Sequence, residues 1–164
     1  MSGKIIYFDN NATTSVAPEV LDAMLPYLKE EYGNPSSMYS LAKAAKAGLN
    51  KARSQVAELL GAQPDEIIFT SCGTESDSTA IYSAFEAQPD KKHFVTTKIE
   101  HSAILAVGRQ LEKRGYRVTW LDVDEKGNLD LEAVKAALTK DTGLVSIMFA
   151  NNEMGTRQPV QEIG

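Results

Sequence analysis

Apolar positions along the chain change their spacing several times, and each change predicts an element. Ile5-Ile6-Tyr7-Phe8 is a short apolar run, expected as a strand or an extended arm, and the polar stretch Asp9 to Thr14 predicts a turn. Pro18 predicts a helix start, because the missing N–H of proline costs nothing in a first helical turn. Val20, Leu21, Met24, Leu25 and Leu28 then mark one apolar face. Gly33 to Ser37 has the composition of a loop. A second helix is predicted from about Ser40 to Leu60, with Leu41, Ala45, Leu49, Ala52, Val56 and Leu59 near helical spacing and Gly61 as its stop.

From Ile67 onward strands and helices alternate. The predicted strands are Ile67 to Thr70, His93 to Thr97, Arg117 to Leu121 and Leu144 to Phe149. The helices between them carry Ala80, Ile81, Ala84 and Phe85, then Ile104, Leu105, Val107 and Leu111, ended by Gly115, then Leu131 to Leu138, capped by Asp130. This alternation predicts an α/β fold, a mostly parallel sheet with helices on both faces. Ligands of such sheets sit at the carboxyl ends of the strands. Here those ends are Ser71 to Thr74, Lys98 to His101, and Asn151-Asn152-Glu153. No linker divides the chain, and it stops as Val160 to Ile163 begins to look helical. The sequence is therefore expected to be a fragment of a longer protein.

A length of 164 residues allows one domain with a real core. The formal net charge of −5, with scattered lysines and arginines, favours neither nucleic acid nor an anionic membrane as partner. A single cysteine, Cys72, leaves no disulfide and no cysteine-rich metal cluster within these residues. With no apolar stretch at Met1 to Lys4 to target or span a membrane, a cytoplasmic protein is expected, with no metal site.

The candidate chemistry lies in the turns. Ser71-Cys72-Gly73-Thr74-Glu75 joins a strand to a helix start, where free backbone N–H groups favour an anion. Gly73 lets the backbone approach a ligand and Thr74 adds a hydroxyl. The plainer alternative is that Ser71 or Thr74 caps the helix. The spacing is neither a P-loop nor G-x-G-x-x-G. Cys72 is expected as a small packing residue rather than a nucleophile, since a phosphate on the same N–H groups disfavours a thiolate. His101 is a histidine bonded to backbone at a helix start, or a functional ring at a strand end. His93, at the opposite edge, is expected to be structural. Asn151 and Asn152 suit a turn for backbone reasons, yet they face the same crevice as His101 and the Ser71 to Thr74 turn.

Five segments, Asp9 to Thr14, Tyr32 to Ser37, Phe69 to Asp77, Glu100-His101 and Ala150 to Gly155, resemble cysteine desulfurases of the NifS type in order and spacing. The resemblance covers nearly the whole chain. It implies a class V aminotransferase of fold-type I that uses pyridoxal 5'-phosphate to take sulfur from L-cysteine. The products implied are L-alanine and an enzyme persulfide, whose sulfur goes to an iron–sulfur scaffold protein. The wording around Cys72 is closer to the nitrogen-fixation member than to the housekeeping one. By the same resemblance Gly73 and Thr74 bind the cofactor phosphate. His101 stacks on the pyridine ring and moves protons, Asn152 bonds near the ring hydroxyl and the substrate, and Asn10 to Thr14 line the site mouth.

The family's ring-nitrogen aspartate, Schiff-base lysine, persulfide cysteine and carboxylate-binding arginine have no counterpart here. Residues 1–164 are then the N-terminal arm and the first part of the large cofactor domain. They are expected to be inactive alone and to belong to a homodimer when full length. A selenocysteine lyase or another class V aminotransferase is the near alternative. A short non-catalytic module that binds phosphate, or pairs with a complete enzyme, is the distant one.

Overall fold

The computed structural model describes residues 5–164, which form two compact units, one ending at Phe69 and one running from Thr70 to Gly164. In the first unit, α1 (Pro18–Lys29) begins at Pro18 as expected, and α2 (Ser40–Leu60) is closed by Gly61 in the left-handed region at φ 67°. Tyr27 of α1 lies against Gly48 of α2, where an added Cβ would collide with the phenol ring. The apolar face of α1 is otherwise open: Val20, Leu21, Met24 and Leu28 are all exposed. Ile5 to Phe8 is extended and exposed, with no strand pairing, which suits the arm rather than the strand.

The second unit holds a three-stranded parallel sheet of order β2-β1-β3, with β1 (His93–Thr97) central between β2 (Arg117–Leu121) and β3 (Thr142–Ser146). Parallel strands need crossovers, and helices supply them. α3 (Gly73–Ala87) precedes β1, α4 (Ser102–Lys113) joins β1 to β2, and α5 (Leu131–Ala137) lies between β2 and β3. α6 (Val160–Ile163) is a last short turn. Asp130 caps α5 by accepting the Glu132 N–H, as expected.

Alternation along the strands puts side chains on both faces. Phe94, Val118 and Leu144 share one register row and pack under Ile81 and Phe85 of α3 and Ile104, Val107 and Leu111 of α4. Val95, Leu121 and Val145 turn to the other face, against Leu129, Val134 of α5 and Ile163 of α6. Phe94 and Val95 have no exposed surface at all. Burying such a side chain contributes roughly 1.5–3 kcal/mol, so β1 is the keel of the unit. His93 is equally buried: its ring nitrogens bond the hydroxyls of Thr142 and Thr119, each at 2.8 Å. The structural expectation for it stands.

Two expected strands need correction. Ile67 to Thr70 forms no ladder, and Ile68 and Phe69 are exposed. A strand is defined by a neighbour, and no described residue pairs with this stretch. The strand expected to reach Phe149 leaves the ladder after Ser146, because the Met148 N–H is taken by a side chain, the carboxylate of Glu100 at 2.7 Å.

Candidate functional site

The carboxyl edge of the sheet gathers three turns within the second unit. β1 runs out at Thr97 and the chain turns through Lys98 to Glu100 into His101, the N-cap of α4. The chain beyond β3 turns at Asn151-Asn152. The two turns are laced together: Asn151 Nδ2 donates to the Ile99 carbonyl at 3.1 Å, and the Met148 N–H donates to Glu100. From the second turn of α3, the Asp77 carboxylate disfavours the ionisation of Glu100.

The amino end of α3 is open. Its N-cap is Cys72, in extended backbone, and no side chain caps the helix. The plainer expectation, a cap by Ser71 or Thr74, does not hold. Ser71 turns instead to Glu75, whose carboxylate accepts from both the Ser71 N–H and hydroxyl at 2.6 Å. These two bonds, the hydroxyl first, hold the Glu75 carboxyl below its usual range. Cβ built on Gly73 would meet nothing within 4 Å, so the backbone there faces open space. Thr74 is exposed beside it.

Cys72 is not the packing residue expected from sequence, because it is fully exposed. The Glu75 N–H foremost, then the Ser71 hydroxyl, hold its thiol below the usual range. A short polar turn has no core to pack a small side chain against.

Of the two readings offered for His101, the structure shows the histidine bonded to backbone at a helix start: its Nδ1 accepts the Ala103 N–H at 3.2 Å. That bond fixes the lone pair on Nδ1 and leaves Nε2 as the donor of the neutral ring. The side chain is nevertheless exposed at the strand edge. The two asparagines divide the work. Asn151 is buried and shapes the turn: its Oδ1 accepts the Glu153 and Met154 N–H groups, each at 2.9 Å. Asn152 is exposed, its Nδ2 3.1 Å from Glu153 Oε1.

Sequence reading passed over Glu100 itself. Its side chain is buried, and burial pushes its carboxyl above the usual range, opposed by the Met148 N–H and the Thr97 hydroxyl. Only its position beside His101 could have drawn attention to it. Its partner lies 48 residues away, beyond any local pattern. Among the described residues no group of His, Cys, Asp or Glu side chains could hold a metal ion, and no helix is long and apolar enough to cross a membrane.

Comparison with known proteins decides the family. The model of the aminotransferase class-V family matches residues 6–164. The chain belongs to this family. Among curated class-V relatives, cysteine desulfurase 2 of Trichormus variabilis is 58% identical over 98% of the chain. Cysteine desulfurase NifS of Azotobacter vinelandii is 53% identical over 96%. This class-V chain spans 40% of the length of each. Among solved structures, a NifS-like protein superposes with a TM-score of 0.92 at 43% identity, covering 96% of the chain and 44% of that protein. The match extends to the α/β sheet architecture expected from sequence.

Cysteine desulfurases of class V are pyridoxal-phosphate enzymes, and the residues present fit that group at its phosphate end. A doubly charged anion needs clustered donors and room. The uncapped amino end of α3, the open space at Gly73 and the exposed Thr74 hydroxyl provide both.

Proposed function

We propose that these residues belong to a pyridoxal-phosphate-dependent cysteine desulfurase, which takes sulfur from L-cysteine, releases L-alanine and passes the sulfur toward iron–sulfur cluster assembly. The observation that carries this reading is the uncapped amino end of α3 at the same sheet edge as His101 and Asn152, in a class-V chain. In this reading residues 1–164 are the arm and first part of the large cofactor domain. The rest of that domain and a small domain complete a cytoplasmic homodimer.

Each residue then has a physical task. The Gly73 and Thr74 amides and the Thr74 hydroxyl hold the phosphate. His101 covers one face of the pyridine ring, and its Nε2, the free nitrogen once Nδ1 bonds Ala103, holds or releases a proton near the reacting carbon. Asn152 donates toward the ring hydroxyl and the substrate. The cofactor, when bound, supplies an electron sink for carbon-centred charge. No histidine of the chain is followed by lysine, and Cys72 lies in the phosphate turn, so the covalent anchor and the sulfur acceptor come from elsewhere in the protein.

Two proteins test this: the whole protein, and residues 1–164 alone, each with pyridoxal phosphate, L-cysteine and a dithiol that reduces the persulfide to sulfide. Alanine and sulfide should form in equal amounts with the first and stay at the free-cofactor level with the second. Whole protein that leaves cysteine unconsumed would sink the reading. A nitrogen-fixation role, supported by the likeness to NifS, requires that purified sulfur-loaded protein rebuild the clusters of apo-nitrogenase components.

A further inference from the structure

Glu100 is a buried carboxylate that the reading above does not use. It is 7% exposed, in a shell with no cation bonded to it among the described residues. Oε1 accepts the Met148 N–H at 2.7 Å and the Thr97 hydroxyl at 3.4 Å. A carboxylate without a counter-ion is an expensive way to fill a core position, and apolar side chains of like volume usually serve stability as well or better. What an apolar side chain cannot do is accept from donors of two separate segments, here Thr97 and Met148, at once.

We propose that Glu100 is a positioning residue of this site: its buried carboxylate, bonded to the Met148 amide and the Thr97 hydroxyl, fixes where the adjacent His101 stands relative to the Asn151-Asn152 turn. The lacing runs in both directions. Met148 donates to Glu100 and Asn151 donates back to Ile99, so residues 99–101 and 148–151 are clamped as one piece. Within that clamp the His101 backbone is set at φ −57° and ψ 147°, and its ring is pinned through Nδ1 to Ala103. With residues 99–101 clamped, the bond to Ala103 leaves the ring little freedom to re-aim. The same clamp holds Asn151, whose Oδ1 shapes the turn that presents Asn152.

This inference rests on the proposed role of His101, and its test separates the two. The cofactor-loaded whole protein is made as wild type, Glu100→Ala, Glu100→Gln, His101→Ala and His93→Ala. His93→Ala removes a buried polar side chain at the other end of β1 and controls for general loosening. The readouts are the visible circular dichroism of the bound cofactor and its dissociation constant. Glu100→Ala should diminish the dichroic band and weaken retention roughly tenfold, about the effect of one lost hydrogen bond to a charged group. Glu100→Gln, which keeps an acceptor for Met148, should restore most of both, and His93→Ala should leave the band in place. Glu100→Ala with a wild-type band beside an altered His101→Ala would overturn the proposal and spare the functional reading. Equal loss in His93→Ala would overturn it too. An unaltered band in His101→Ala would instead defeat the functional reading. The proposal is then decided in cofactor-free protein by the 13Cε1 resonance of His101, which must move in Glu100→Ala and return in Glu100→Gln.

Discussion

Thr74 and His101 touch the proposed cofactor in different ways, and single substitutions should separate them. The Thr74 hydroxyl has only a phosphate to hold, and a hydrogen bond to a charged group contributes roughly 1.5–3 kcal/mol. In the whole protein Thr74→Ala should therefore weaken cofactor retention about tenfold or more and leave the single-turnover rate of loaded enzyme near wild type. An unchanged dissociation constant would reduce Thr74 to an exposed residue of a helix start. His101→Phe keeps a flat ring and removes both nitrogens. It should retain cofactor nearly normally yet turn over about 10²–10⁴-fold more slowly, the usual loss for a positioned acid–base group. Wild-type turnover in that variant would leave His101 as a stacking surface alone.

At the scale of elements, α4 lies close on the sheet because Gly108 has no side chain. A Cβ there would run into the indole ring of Trp120, whose Nε1 donates to Glu112 Oε1 at 2.9 Å. Alanine is the better helix former by up to about 1 kcal/mol, while overpacking a closed interface costs about 1–3 kcal/mol. Gly108→Ala should therefore destabilise the unit despite its propensity. Trp120 is the sole tryptophan of these 164 residues, so its emission reports the displaced ring directly. A rise in melting temperature with unshifted emission would show that the interface has slack.

The helices were largely legible in sequence for a local reason. Caps, periodicity and stop signals lie within a few residues of what they control, and Ser40 to Leu60 with Gly61 was read with the bounds observed. Strands depend on neighbours. Ile67 to Thr70 has strand composition and no partner, and the end of β3 is set by a carboxylate 48 residues earlier. The carboxyl-end rule leads from β1 to the His101 turn and from β3 toward Asn152, whereas Gly73 and Thr74 follow a stretch that pairs with no described strand. Glu100 could not be found this way, because its meaning lies in a partner and not in a pattern. Cys72 was read as a packing residue from the cost of a thiolate beside a phosphate, an argument that says nothing about burial, and it is exposed.

For the molecule as a whole, the buried ring of His93 ties stability to pH. Burial foremost, with Arg117 adding to it and Asp141 opposing, holds this imidazole below its ordinary value of 6.5. The folded chain therefore binds fewer protons there than the unfolded chain does. The stability this contributes is present above pH 6.5 and is lost as pH falls through the lower folded value. The melting temperature should decline below that point, and His93→Gln, which does not titrate, should flatten the decline at some cost in stability at neutral pH. An identical acid slope in both proteins would assign the decline to the carboxylates.

The parallel order β2-β1-β3 also sets a timetable for synthesis. β1 is the most buried strand, yet both of its neighbours are made after it, and Thr142, the partner of His93, follows 49 residues later. At ribosomal rates of about 5–20 residues per second, that is a wait of about 2.5–10 s with Phe94 and Val95 still lacking their β3 partners. Lys91 and Lys92 before the strand and Lys98 after it place positive charge at both ends of this sticky segment. Flanking charges of this kind oppose strand-to-strand association between nascent chains. The three lysines thus guard β1 through the interval in which the finished fold cannot.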